Sequence, residues 1–122
     1  MKKVIWIIVS IIIIGGIVAL LVVQAKKPGK YDQFAQCLGT SGAKFYGAWW
    51  CPHCQAEKAL FGKAAKKLPY VECQTKSRVQ TEQCNAENIQ GYPTWVFADG
   101  SRESGEVPLQ TLATKTGCQL PQ

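Results

Sequence analysis

The stretch Ala48-Trp49-Trp50-Cys51-Pro52-His53-Cys54-Gln55 decides how this chain reads. Residues 43–50 form a short apolar, aromatic-rich run of the kind found in a buried strand. Pro52 fits the first turn of a helix, where the N–H it lacks would have had no partner. Two cysteines at i and i+3 across that junction form a reactive pair. Cys51 lies at or just before the helix N-terminus, where unpaired N–H groups and the helix dipole favour an anion. Its thiol is expected to ionise more readily than a free one, and the thiolate is the form that attacks a disulfide. Cys54, one turn further in, is placed to resolve the mixed disulfide. His53 adds partial positive charge between them, and stabilising the reduced form in this way makes the disulfide a better oxidant. Half of a zinc site is the competing reading. A second C-x-x-C or a C-x-x-H is missing, however, and His53 is the single histidine. No metal or organic cofactor is implied.

Downstream, Ala56, Leu60, Ala64 and Leu68 recur every four residues and predict a helix closed by Pro69, with a bend at Gly62. Lys63, Lys66 and Lys67 collect near its end, where the dipole favours cations. Upstream, Tyr31, Phe34, Ala35 and Leu38 carry helical spacing, and Gly39-Thr40-Ser41-Gly42 ends it. Residues 70–73 read as a second strand, followed by a polar loop and a short helix near 81–88. Residues 95–98 and 102–106 flank Asp99-Gly100, a strong two-residue hairpin signal. Residues 108–116 form a closing helix with Leu109, Leu112 and Ala113 on one side. The order predicts an α/β fold, a central mixed sheet with helices on its faces. Gly91-Tyr92-Pro93-Thr94 is a turn just before a strand. A cis Tyr92–Pro93 bond is expected beside the C-x-x-C helix, exposing the Tyr92 backbone for pairing with an extended peptide. Trp50 is read as lying over the reactive cysteine and shaping a docking surface, Trp49 and Trp95 as core residues or sheet-face packing.

The N-terminal part belongs to no folded core. Residues 4–23 hold only Ser10, Gly15 and Gly16 against seventeen strongly apolar or small residues. At ~1.5 Å per residue they reach about 30 Å, the thickness of a bilayer's hydrocarbon core. They show no polar face and exceed the apolar stretch of a cleaved signal, so an uncleaved anchor is expected. The division is then residues 1–3 inside, 4–23 as one transmembrane helix, 24–30 as a short polar tether and 31–122 as one small domain. Five of the fourteen cations, Lys2, Lys3, Lys26, Lys27 and Lys30, flank the apolar run. From Tyr31 onward nine cations meet eight acids, which argues against a nucleic-acid-binding face. The positive-inside count does not fix orientation, but all six cysteines follow the anchor. That pattern predicts a disulfide-permissive compartment, the periplasm or cell exterior. Besides Cys51 and Cys54, the cysteines Cys37, Cys73, Cys84 and Cys118 allow three pairings into structural disulfides.

The motifs Phe34-Ala35, Gly42-Ala43-Lys44-Phe45-Tyr46-Gly47-Ala48-Trp49-Trp50-Cys51-Pro52-His53-Cys54-Gln55, Leu60-Phe61-Gly62, Pro69-Tyr70-Val71-Glu72-Cys73 and Gly91-Tyr92-Pro93-Thr94-Trp95 carry a resemblance. The chain resembles thioredoxin-like proteins, and within them the domain fused to bacterial vitamin K epoxide reductase homologues. The resemblance covers about residues 31–118. It implies the thioredoxin fold with a four-stranded mixed sheet, and thiol–disulfide exchange with substrate proteins. It also implies reoxidation by a quinone-reducing membrane oxidase, which would act here in trans because a single anchor replaces the helical bundle. By the same resemblance Cys51 and Cys54 are the exchanging pair, set by His53 and Pro52. Trp50, Tyr92, Pro93 and Thr94 hold the substrate, and the disulfides favoured are 73–84 and 37–118. The buried acid that thioredoxins carry six residues before the first active cysteine corresponds to Phe45. Glu57 is weighed as a proton acceptor, but its place on the helix favours a solvated surface carboxylate. Without a buried base, an oxidant suits this pattern better than a reductase.

Overall fold

The structure, a computed structural model, describes residues 1–122. Its elements run α1 (Lys2–Lys26), α2 (Asp32–Thr40), β1 (Lys44–Gly47), α3 (Pro52–Ala59), a 3-10 helix (Gly62–Lys67), β2 (Tyr70–Glu72), α4 (Glu82–Ala86), β3 (Thr94–Val96), β4 (Arg102–Ser104) and α5 (Leu109–Thr116). The sheet order is β2-β1-β3-β4. β1 pairs in parallel with β2 and antiparallel with β3, and β3 pairs antiparallel with β4. This is the mixed four-stranded sheet that the element order predicted.

Strand alternation divides the apolar residues between two faces. Phe45 and Trp95, register partners on β1 and β3, stack at 4.9 Å between ring centroids on the larger face. Phe34, Ala35 and Leu38 of α2, Cys54 of α3, Leu112 and Ala113 of α5, and Ala64 join them in one buried cluster. Tyr46 and Val96 point the other way, where α4 covers them through Cys84 and Ile89 follows. Two disulfides close the domain. Cys37–Cys118 ties α2 to the segment after α5, and Cys73–Cys84 closes the loop between β2 and α4.

Four readings need correction. The helix after Cys51 does not run to Pro69. It stops at Ala59, and Gly62 takes φ +54°, a left-handed conformation that ends α-geometry and starts the 3-10 turn. Its buried stripe is also rotated from the one predicted. Cys54, Glu57, Phe61 and Ala64 face inward, while Ala56 and Leu60 face solvent. Trp49 is 48% exposed, outside the core, because β1 ends at Gly47 and the chain turns before α3. Finally, residues 24–26 belong to α1, so the connection to the domain is shorter than the tether predicted.

Candidate active site

β1 delivers Ala48-Trp49-Trp50 to the start of α3, and Pro52 occupies the first helical turn. Cys51 is the N-cap, with φ −78° and ψ 116°. That role usually falls to a side-chain oxygen of Ser, Thr, Asp or Asn. Here the Cys54 N–H donates to Cys51 Sγ at 3.2 Å, so the reactive sulfur satisfies one of the helix's free donors. On its other side Cys51 Sγ reaches the Tyr92 carbonyl at 3.7 Å. The Tyr92–Pro93 bond is cis, and the carbonyl before it faces the sulfur. Cys51 is only 3% exposed, so an exchange partner must dock on the surrounding surface to reach it.

Cys54 is wholly buried. Burial pushes its thiol up to about 12, and its hydrogen bond with Cys51 adds to the effect. Cys54 therefore holds its proton while Cys51, at the helix terminus, is the sulfur placed to react. Gly47 makes room for this thiol. A Cβ there would stand 3.1 Å from Cys54 Sγ and 2.7 Å from Tyr70 Cε2. Tyr70 donates to Glu72 Oε2 at 2.8 Å, and Lys58 lies 3.4 Å from the Tyr70 ring centroid. Desolvation, then the bond to Glu72, raises the Tyr70 phenol, which stays neutral.

Glu57 departs from the sequence reading. One turn after Cys54, it is fully buried, not a surface carboxylate. Trp95 Nε1 donates to one carboxylate oxygen at 3.0 Å and the Val107 N–H to the other at 2.8 Å. Burial raises its pKa, and the two donors offset part of that rise. A buried acid is thus present on α3, although β1 carries none. The spacing Cys54–Glu57 placed both on one helix face, but the apolar stripe through Ala56 and Leu60 concealed it.

The rim gathers most of the residues expected there. His53 is exposed, and its Nδ1 donates to Glu106 Oε1 at 2.8 Å, a partner beyond β4 that sequence spacing did not signal. Trp50 is 39% exposed and meets the Tyr92 ring edge-on at 6.2 Å. The Tyr92 hydroxyl donates to Gln80 Oε1 and accepts from Gln74 Nε2, so the loop closed by Cys73–Cys84 braces the turn before Pro93. Trp49 Nε1 donates to the Thr75 carbonyl of the same loop. Arg78 lies over both indoles, 5.8 Å from Trp49 and 5.3 Å from Trp50. Two expected substrate contacts lie deeper. Thr94 is buried in β3 with its hydroxyl donating to the Gly91 carbonyl, and Pro93 is buried with it. Their side chains shape the turn and leave the Tyr92 backbone facing Cys51. No group of three or more His, Cys, Asp or Glu residues is arranged to hold a metal ion.

Two comparisons with known proteins find relatives of this chain. A thiol–disulfide oxidoreductase of Arabidopsis thaliana, LTO1, is 44% identical over 93 residues. The match takes in 72% of this chain but 24% of LTO1, so the chain spans about a quarter of that relative's length. Residues 30–115, from the turn before α2 to the last turn of α5, match the family described as Thioredoxin. A family match over residues 30–115, more than half of the chain, and a relative 44% identical establish the kinship: the chain belongs to the thioredoxin family.

Proposed function

We propose that this protein is a membrane-anchored thiol–disulfide oxidoreductase facing the periplasm or cell exterior, which oxidises the cysteines of substrate proteins. The observation that carries it is the asymmetric pair: Cys51 Sγ capping α3 beneath the rim and facing the Tyr92 carbonyl, Cys54 fully buried and protonated behind it. In the oxidised form a substrate thiolate attacks Cys51 Sγ. The Cys51–Cys54 bond breaks, and Cys54 leaves with the electron pair and takes up a proton. A second substrate thiolate then attacks the substrate sulfur of the mixed disulfide and releases Cys51. Two electrons pass to the protein, and the substrate keeps a disulfide. The Cys54 N–H pointing at Cys51 Sγ favours this reduced product, which makes the disulfide a better oxidant. Reoxidation falls to a separate quinone-linked membrane oxidase of the vitamin K epoxide reductase type. The resemblance of the sequence motifs supports that partner.

The opposite direction, a reductase or isomerase fed by a membrane thiol carrier, is favoured by one observation. Glu57 is a buried acid one turn from Cys54, the kind of group able to accept a proton as Cys54 attacks. Trapping thiols in intact cells separates the directions. A mainly oxidised Cys51–Cys54 pair supports the oxidant, and a mainly reduced pair overturns it. Cys51→Ser should abolish exchange, while Cys54→Ser should accumulate mixed disulfides with substrates on non-reducing gels. Unchanged exchange in Cys51→Ser would leave the thioredoxin fold as a binding module only.

A further inference from the structure

Where α1 enters the domain, Ala25, Lys26, Lys27, Gly29, Asp32, Lys63, Lys66 and Lys67 line a cavity of about 310 Å³. Five of these residues are lysines. Lys67 pairs with Asp32 at 2.8 Å and Lys66 lies within the field of that carboxylate, whose second oxygen is buried and unpaired, while Lys26, Lys27 and Lys63 have no carboxylate within 4 Å. The wall is built by close packing. A Cβ on Gly29 would stand 3.0 Å from Lys63 Cβ and 3.4 Å from the Ala64 nitrogen, so the connecting segment lies against the 3-10 helix. The Asp32 N–H bonds the Gly29 carbonyl and fixes that segment at the start of α2. Like charges brought together by a folded backbone repel one another unless an anion joins them.

We propose that this cavity binds the phosphate of an anionic phospholipid headgroup. The proposal rests on α1 spanning the membrane, because the cations stand at the end of that apolar helix, at headgroup height. A lipid is favoured over a free anion because Lys26 and Lys27 are joined directly to the span while Lys63 and Lys66 come from the domain. One headgroup in the cavity therefore clamps the domain to the bilayer. The seating also aims the active site. β1 runs from Lys44, next to the Pro69 that follows the 3-10 helix, toward Cys51, and α3 carries the chain back over about 12 Å. With its lysine end on the bilayer, the domain turns Cys51 away from the membrane toward soluble substrates. A membrane-embedded redox partner would meet it only on a loop rising above the headgroups.

Lysine acylation footprinting on the full chain in vesicles tests this. Lys76, exposed on the 73–84 loop, serves as internal reference. Vesicles of zwitterionic phosphatidylcholine should leave Lys26, Lys27, Lys63 and Lys66 reactive. Adding phosphatidylglycerol should slow their acylation relative to Lys76, and high salt should restore it. In Lys63→Gln/Lys66→Gln the protection of Lys26 and Lys27 should weaken, by about fivefold for each cation removed from an anionic surface. Equal reactivity in the two kinds of vesicle overturns the proposal. So does equal protection by inorganic phosphate in zwitterionic vesicles, which would make the cavity a free-anion site. Release of the chain by alkaline carbonate would refute the membrane span itself, an outcome the footprint alone cannot produce.

Discussion

Replacing Glu57 tests the least expected feature of the site. Its carboxylate accepts from Trp95 Nε1 and from the Val107 N–H, and both donors lie in the core. Glu57→Leu leaves two buried N–H groups unpaired, at about 1–3 kcal/mol each, so the loss should be roughly 2–6 kcal/mol. Glu57→Gln is more informative because it resembles the protonated acid. Burial raises the Glu57 pKa above its ordinary value of 4.5. A carboxyl raised in this way contributes stability that is fully present below the ordinary value. That stability is lost as pH climbs through the folded value, since the unfolded chain releases the proton first. The stability of the native protein relative to Glu57→Gln should therefore fall as pH rises from below 4.5 through the raised pKa, and then level off. Urea unfolding followed by near-ultraviolet circular dichroism, with the full chain in neutral detergent micelles, measures it. Parallel stability curves for the two proteins over that range would refute the reasoning, as would a Glu57→Leu protein as stable as the native one.

Gly47→Ala should cost about 1–3 kcal/mol by overpacking, since its Cβ would press on Tyr70 and Cys54 Sγ. It should also slow resolution of mixed disulfides more than their formation, read by single-turnover exchange. Glu106→Gln removes the carboxylate at 2.8 Å from His53 Nδ1 and should make the potential less negative. As an exposed pair it should move the potential by no more than about 20 mV in glutathione equilibration. The two structural disulfides differ in the loop they close, with sequence separations of 81 and 11. Removing Cys37–Cys118 by paired alanine substitution should cost about 4–5 kcal/mol, and removing Cys73–Cys84 about 3, so the urea midpoints should fall in that order. In native protein at neutral pH, iodoacetamide should modify Cys51 well before Cys54, whose thiol burial holds at about 12.

By itself the sequence determined what depends on neighbours along the chain. The α1 helix follows from an unbroken apolar run, the start of α3 from Cys51-Pro52, and the β3–β4 hairpin from Asp99-Gly100, because each is a local preference of the backbone. The positions of Cys51 and Cys54 were legible for the same reason: Cys51-Pro52 marks a helix start, and a spacing of three puts the second cysteine one turn in. Tertiary structure decided everything that needs a partner distant in sequence. Glu57 became a buried acid only because Trp95 and the Val107 N–H converge on it from β3 and the segment after β4. Periodicity counts polarity and cannot register two donors waiting on the far side of a core. Trp49, apolar by type, stayed outside because β1 stops at Gly47 and the 73–84 loop offers Thr75 and Arg78 to its indole. The lysine cavity was likewise divided between two stretches that looked like ordinary solvated flanks, Lys26–Lys27 and Lys63–Lys67. Only the packing of Gly29 against the 3-10 helix brings them together, and charge converging from separate segments exists only once the chain has folded.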